Sequence, residues 1–167
     1  GAGHSGAMEK VIAELAARLR LLEDREAIRT LIAEYGPLAD AGEGERIADL
    51  WTAEGSYGVG GMGEARGHEA IAALMAGPTH RQLMADGCAH LLGPVAIDLA
   101  GDHAVARGHS VVLRHTAQGF AVYRVSANRW ELVSTEQGWR GSHRANARLD
   151  GAEAARALLS PPSARHP

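Results

Sequence analysis

CAHLLGPVAIDLAGDHAVARGHSVVLRH, residues 88–115, decides the fold of this chain. Two largely apolar runs, 88–99 and 104–115, flank the turn chemistry of AGDH. That pattern predicts two long strands joined by a short connection. The same alternation continues downstream. Residues 120–133 and 138–145 also have strand character, set off by the turns TAQG and STEQG. Consecutive strands with short turns predict an antiparallel meander. One residue in the first strand is unexpected. His90 puts an ionisable ring where Leu or Val would serve burial better. It is either a tolerated edge residue or the base of a strand that lines a cavity.

The chain ahead of these strands is helical in pattern. Ile12, Leu15, Leu19 and Leu22 are spaced three, four, three, one apolar stripe of a helix expected to pack on the body of the domain or on a partner chain. A second helix is predicted from LEDREAIRTLIAEY, with Asp24 as N-cap, Glu26 in the first turn and Ile28, Leu31, Ile32 and Tyr35 on its apolar face. Gly36-Pro37 is expected to disturb it, because Pro37 has no N–H to donate, and the segment is expected to end near Asp40 with Gly42 as its stop. Residues 45–51 and 67–76 are predicted as short helices, the second stopped by Gly77-Pro78. The Gly-rich 55–63 segment lacks the GxxxxGK[ST] pattern of a phosphate loop and is expected to hold short strands or turns. Residues 151–159 close the chain as a last short helix. Helices first and a curved antiparallel sheet after them define an α+β class.

Bulk composition narrows the function classes. At 167 residues the chain suits one domain, and 46% hydrophobic residues argue for a packed core over disorder. GAGHSGA ahead of Met8 has the character of a cloning remnant, residues 8–159 form the expected domain, and the Pro-rich stretch 160–167 is expected to be a flexible tail. A formal charge of -3 gives no electrostatic case for nucleic acid or an anionic membrane. No apolar run approaches the roughly 18 residues of a membrane span, and no secretory leader is visible. One cysteine, Cys88, allows no internal disulfide and fits a reducing, cytoplasmic setting. There is no HExxH or Cys/His cluster, so no metal is expected. Cys88 lacks a separate base partner and is not read as a nucleophile.

Strand alternation suggests which side chains meet. If the sheet curls around a cavity, His90, His109 and Asn128 come from three successive strands and could all point inward. Tyr35 lies on the apolar stripe of its helix. Asp40, five residues on, would be about 140° away on a straight helix, so the Gly-Pro disturbance is what could bring both into one pocket.

The ordered series DREAI, Y…D-x-G, RGHEAI, HLLG, RWELV and GWR resembles the SnoaL-like branch of the NTF2-like superfamily over about residues 22–159. The resemblance implies a cone-shaped α+β barrel, a bent sheet wrapped on N-terminal helices around one deep apolar pocket. Its eliminating members include scytalone dehydratase and bile acid 7α-dehydratase. By that resemblance His90 is the base, Asp40 orients it, and Tyr35 and Tyr57 match the family's tyrosines. His109 matches a second histidine and Asn128 a third-strand asparagine. Asn128, Trp51, Phe120 and Trp130 are expected to bind substrate or wall the cavity. The sequence departs from the family at HLLGP, which lacks an asparagine, at Gly141 and at Pro37, and these departures bear on pocket shape.

The implied chemistry is coherent by itself. A histidine tuned near neutral pH can remove a proton next to a carbonyl, a carboxylate on its far nitrogen fixes the tautomer, and phenols can meet the developing enolate. The expectation is a lyase or isomerase of dehydratase type without cofactor, acting on a hydrophobic cyclic or polyketide-like hydroxy-ketone. The alternatives are a non-catalytic small-molecule-binding protein and a polyketide cyclase. A homo-oligomer, dimer or trimer, is expected.

Overall fold

The computed structural model describes residues 2–163. Gly1 and the last four positions of the expected tail lie outside the described residues. The two helices expected at the N-terminus are one, α1 (Ala2–Asp40), 39 residues long. Nothing between Leu22 and Ala27 breaks a helix; Glu, Asp, Arg and Ala continue it at little cost. Asp24 is therefore mid-helix and no N-cap. Its carboxylate accepts a hydrogen bond from Trp139 Nε1 at 3.0 Å, which pins the helix to the sheet. From Ile28 onward the apolar stripe is buried, with Leu31, Ile32, Tyr35 and Ala39 in the core. The earlier stripe behaves differently. Ile12, Leu15, Leu19 and Leu22 are all more than half exposed, so among the described residues nothing covers this stripe.

Gly36-Pro37 does not break α1. Pro37 and Ala33, one turn before it, both lie on the exposed side of the helix, so the carbonyl that loses its helical partner can be met by water. Gly36 is buried, and its role is close approach. A Cβ there would lie 2.2 Å from the backbone oxygen of His90.

After α1 come α2 (Gly44–Ala48) and a hairpin of β1 (Trp51–Val59) and β2 (Gly63–Arg66). The helix expected over 45–51 thus stops early, and Trp51 opens a strand. Next are α3 (His68–Ala73) and a 3-10 turn (Leu74–Ala76). Gly77-Pro78 ends that turn but also starts α4 (Pro78–Asp86), a helix the sequence reading missed. Proline suits the first helical position, where its absent N–H has no partner to lose.

The expected first strand is two, β3 (Cys88–Leu92) and β4 (Ala96–Ala100). Pro94 cannot donate to a ladder, and Gly93-Pro94-Val95 separates them. Both pair antiparallel with β5 (His103–Thr116), β4 along residues 103–107 and β3 along 110–114. The strands β6 (Gly119–Thr135) and β7 (Gly138–Arg148) complete the expected meander, and α5 (Glu153–Ala157) follows. Both long hairpins turn by the same device. Thr116 and Thr135 each donate to the carbonyl of the glycine three residues on and accept from the glutamine N–H between.

The strand order is β2-β1-β7-β6-β5-β3, with β4 also on β5, and β1 runs parallel to β7. The sheet is curved and does not close. Its concave face holds Ala104, Ala106, Trp130 and Leu132 against α1, with Trp51 and Trp139 beside them. Gly141 belongs to this packing. A Cβ there would come within 3.4 Å of the Trp51 indole, so the small residue makes room for that ring.

Gly36→Ala is expected to force α1 off β3 and to destabilise the fold by about 1–3 kcal/mol, the range for overpacking a close contact. Thermal denaturation checks this. A variant as stable as the parent would mean that the approach is not limiting.

Candidate active site

β3 lies along the C-terminal turn of α1, and the two elements build the centre of the site. Alternation on β3 puts Cys88 and His90 on the face toward Asp40. Asp40 takes the backbone N–H of His90 on both carboxylate oxygens, at 3.2 and 3.0 Å, and its Oδ1 accepts from His90 Nδ1 at 2.7 Å. The Cys88 thiol also donates to Oδ1, at 3.5 Å. With the Nδ1 proton directed at a carboxylate, Nε2 is left as the basic nitrogen of a neutral ring. Burial holds His90 below the ordinary histidine range, and Asp40 opposes that shift through its hydrogen bond and its charge. His90 is therefore unprotonated at neutral pH.

Tyr35 reaches the cavity and Asp40 reaches His90 from one unbroken helix. Tyr35 lines the cavity, whereas Asp40 sits behind the ring, so about 140° of helical separation suits them. Asp40, Cys88 and His90 are also the one trio of metal-binding types that converges among the described residues, with ligand atoms within 4.8 Å of one another. As placed they form a hydrogen-bonded network. The Cys88 thiol is pushed up to about 11, by burial first and then by the Asp40 charge, and stays protonated.

The cavity in front of His90 has a volume of about 330 Å³. This falls at the small end of the usual ligand-pocket range. Leu74, Met75, Leu83, Leu92 and Val112 supply apolar wall, and Tyr35, Tyr57, His80, His90, Ser110 and Arg144 supply polar groups. Tyr35 and Tyr57 pack edge to face, 6.2 Å between ring centres. Burial drives the Tyr35 phenol above its ordinary range, Tyr57 adds to this and Arg144 acts against it. Tyr35 is thus a neutral donor at any physiological pH.

Arg144 and His80 were not anticipated. Arg144 is only 2% exposed, and no carboxylate among the described residues pairs with it. Its guanidinium carbon lies 4.2 Å from the Tyr35 ring centre and 4.6 Å from those of Tyr57 and Trp130, so three aromatic faces stabilise the charge. Strand alternation counted from Trp139 would send Arg144 outward. The register shift between Glu131 and Leu132, which leaves Ser142 as the extra residue on β7, reverses that parity. His80 comes from the unforeseen α4. It donates Nε2–H to the Ala39 carbonyl at 2.7 Å, and its ring centre is 5.5 Å from that of His90.

The remaining expected residues divide. Tyr57 is buried on the cavity wall. Asn128 is inward but does not reach the cavity. Its Oδ1 accepts from Arg144 Nε and Nη2 and from Asn146 Nδ2, and its Nδ2 donates to Ser110, so it holds Arg144 in place. Trp51 and Trp130 are buried behind Tyr35 as packing and not as cavity lining. His109 and Phe120 are on the outer face and correct the expectation. Even-numbered residues of β5 face inward, so Ser110 takes the place expected for His109, which is exposed. A register shift opposite Val112–Leu113 leaves Tyr123 as the extra residue on β6 and turns Phe120 outward, 69% exposed against His115.

The family model of the SnoaL-like domain matches residues 20–145, and the chain belongs to that family. A solved NTF2-like protein with a cystatin-like fold from Novosphingobium aromaticivorans is 59% identical, with a TM-score of 0.87 over 89% of this chain and 96% of that one. Two other structures from the same organism are similar in fold alone. A candidate scytalone dehydratase is 16% identical, TM-score 0.65, over 79% of this chain and 87% of its own. A candidate aromatic ring hydroxylase is 23% identical, TM-score 0.64, over 77% and 90%. A search of curated proteins finds no match. No helix among the described residues is long and apolar enough to cross a membrane.

NMR titration tests the dyad directly. His90 is expected to titrate below 6.5, its ordinary value, and lower still in Asp40→Asn, which removes the negative charge that helps raise it. Titration at the ordinary value in both proteins would exclude the pairing.

Proposed function

We propose that this pocket is the active site of a cofactor-independent lyase or isomerase of dehydratase type, acting on a hydrophobic cyclic or polyketide-like hydroxy-ketone. One observation carries the reading: a partly buried histidine, neutral at physiological pH, has its Nδ1 held by Asp40 at 2.7 Å and faces an apolar cavity that also presents two tyrosines. His90 Nε2 takes the proton from the carbon next to the ketone. The C–H electron pair moves into the carbon–carbon bond, and the ketone oxygen gains charge as an enolate. Tyr35 and Tyr57 donate to that oxygen, and the Arg144 charge behind their rings favours its formation. When the enolate collapses, the hydroxyl on the next carbon leaves with the proton returned from the His90 imidazolium, as water. Return of the proton to a different carbon gives isomerisation from the same intermediate. Asp40 stabilises the imidazolium throughout. The scytalone dehydratase name of one structural neighbour agrees with this chemistry and adds no evidence about substrate.

His90→Ala is expected to lower kcat/KM by about 10²–10⁴-fold with a melting temperature close to the parent, and Asp40→Asn by at least about 10²-fold with a lowered melting temperature, because Asp40 also ties β3 to α1. Tyr35→Phe should cost about 10²–10³-fold, the effect of one donor to a developing oxyanion. The assay is formation of conjugated enone from cyclic β-hydroxy-ketones. A second readout is deuterium uptake at the α-carbon of the matching ketone in heavy water, which needs no leaving group. Ligand binding without either reaction in the parent would identify a binding pocket in place of an active site.

The pH profile carries a sign. Activity needs neutral His90, so kcat/KM should rise with pH along an acid limb centred below 6.5. Asp40→Asn should move that limb to lower pH while lowering the plateau. An acid limb above the ordinary histidine range would contradict a buried base.

A further inference from the structure

The cavity carries an imbalance of charge larger than proton abstraction uses. Three arginines line it, Arg124, Arg144 and Arg148, and no Asp or Glu does. Arg144 is enclosed by aromatic rings and serves the reacting end. Arg124 is different. It is half-buried on β6, and the protein holds it rigidly: Nε donates to Ser126 Oγ at 2.9 Å, and Nη2 to Asn146 Oδ1 at 2.7 Å and the Gly60 carbonyl at 3.4 Å. Its Nη1 has no hydrogen-bond partner among the described residues, and no carboxylate pairs with it. Burial pulls its pKa down, and the neighbouring Arg148 and Arg144 act in the same direction while Tyr57 opposes them. Arg148, at the end of β7, is exposed.

A cation fixed in place, partly stripped of water and crowded by two others costs stability unless an anion joins it. Among the described residues no carboxylate lines the cavity, and an anionic ligand would supply the missing charge. The wall is otherwise mostly apolar. With one free edge on Arg124 and one exposed guanidinium beside it, the site suits a singly charged group better than a phosphate dianion.

We propose that the ligand of this pocket is an apolar carboxylic acid, with its carboxylate seated on Arg124 and Arg148 and its apolar body directed toward His90. This rests on the same cavity being the substrate site and narrows the substrate class: a hydrophobic hydroxy-ketone that also bears a carboxylate, in place of a neutral one. The carboxylate is a handle remote from the reacting carbon, so its binding energy positions the substrate.

Matched probes test it. 2-Naphthoate and 2-naphthamide have the same shape and differ in charge. Calorimetry on the parent should give at least about tenfold tighter binding of the acid, the worth of one charge-assisted hydrogen bond. The preference should shrink as salt is raised. Arg148→Gln, an exposed change that leaves the fold intact, should reduce it, and Arg124→Gln should abolish it while amide affinity is kept. Arg124 also braces Gly60 and Asn146, so Arg124→Lys is the companion variant. It keeps the charge and should retain part of the preference. Equal affinity for the two probes, no measurable binding of either, or a preference that survives Arg124→Gln together with Arg148→Gln would overturn the proposal. His90→Ala separates the two readings. It should leave the acid preference intact, so loss of catalysis without loss of preference touches only the reacting end. Turnover of a neutral ketone that is no slower than that of its carboxylate counterpart would sink the carboxylate and leave His90 as the base.

Discussion

The close approach of α1 to β3 is the constraint on which the site depends. Gly36 brings the helix backbone against the His90 carbonyl, and one turn later Asp40 meets the His90 amide and ring together. A larger residue at position 36 would hold the two elements apart, and a hydrogen bond between carboxylate and imidazole does not survive a displacement of about an ångström. The same carboxylate ties the backbone of β3 to the helix and sets the tautomer of the base. Folding and chemistry therefore share one set of contacts here.

A second organising feature is a buried cation without a counter-charge among the described residues. Arg144 sits among Tyr35, Tyr57 and Trp130 and is oriented by Asn128, whose carbonyl oxygen also accepts from Asn146. Asn146 in turn holds Arg124. A hydrogen-bonded chain thus runs from the reacting end of the cavity toward its cationic side, Arg144–Asn128–Asn146–Arg124. Each hydrogen bond in such a network restrains its neighbours. Here one terminal nitrogen of Arg144 has no hydrogen-bond partner and rests on aromatic faces alone.

How much of this was legible can be traced residue by residue. His90 stood out because a charged-type ring in an apolar strand has no structural excuse. Asp40, Tyr35 and Tyr57 came by resemblance, and each lies where a pocket could use it. His109 and Phe120 failed because alternation states which residues share a face and leaves open which face is inward. A single extra residue on β6 or β7 reverses that sense beyond it. The same effect concealed Arg144. His80 was hidden for another reason: Gly77-Pro78 reads as a helix stop, whereas proline is also a good helix start.

The sequence alone determined the class of fold, the α+β order and the hairpin turns, because hydrophobic period and turn chemistry are local properties of the chain, and its ordered motifs carried the resemblance to the family. It also singled out a histidine that strand packing did not require. Only the tertiary structure decided which arginines face the cavity, that Asp40 stands behind His90 while Tyr35 stands before it, and that Asn128 supports Arg144 and does not reach the cavity. Those outcomes depend on strand register and on how closely helix and sheet approach, and both are set by contacts between residues distant in sequence.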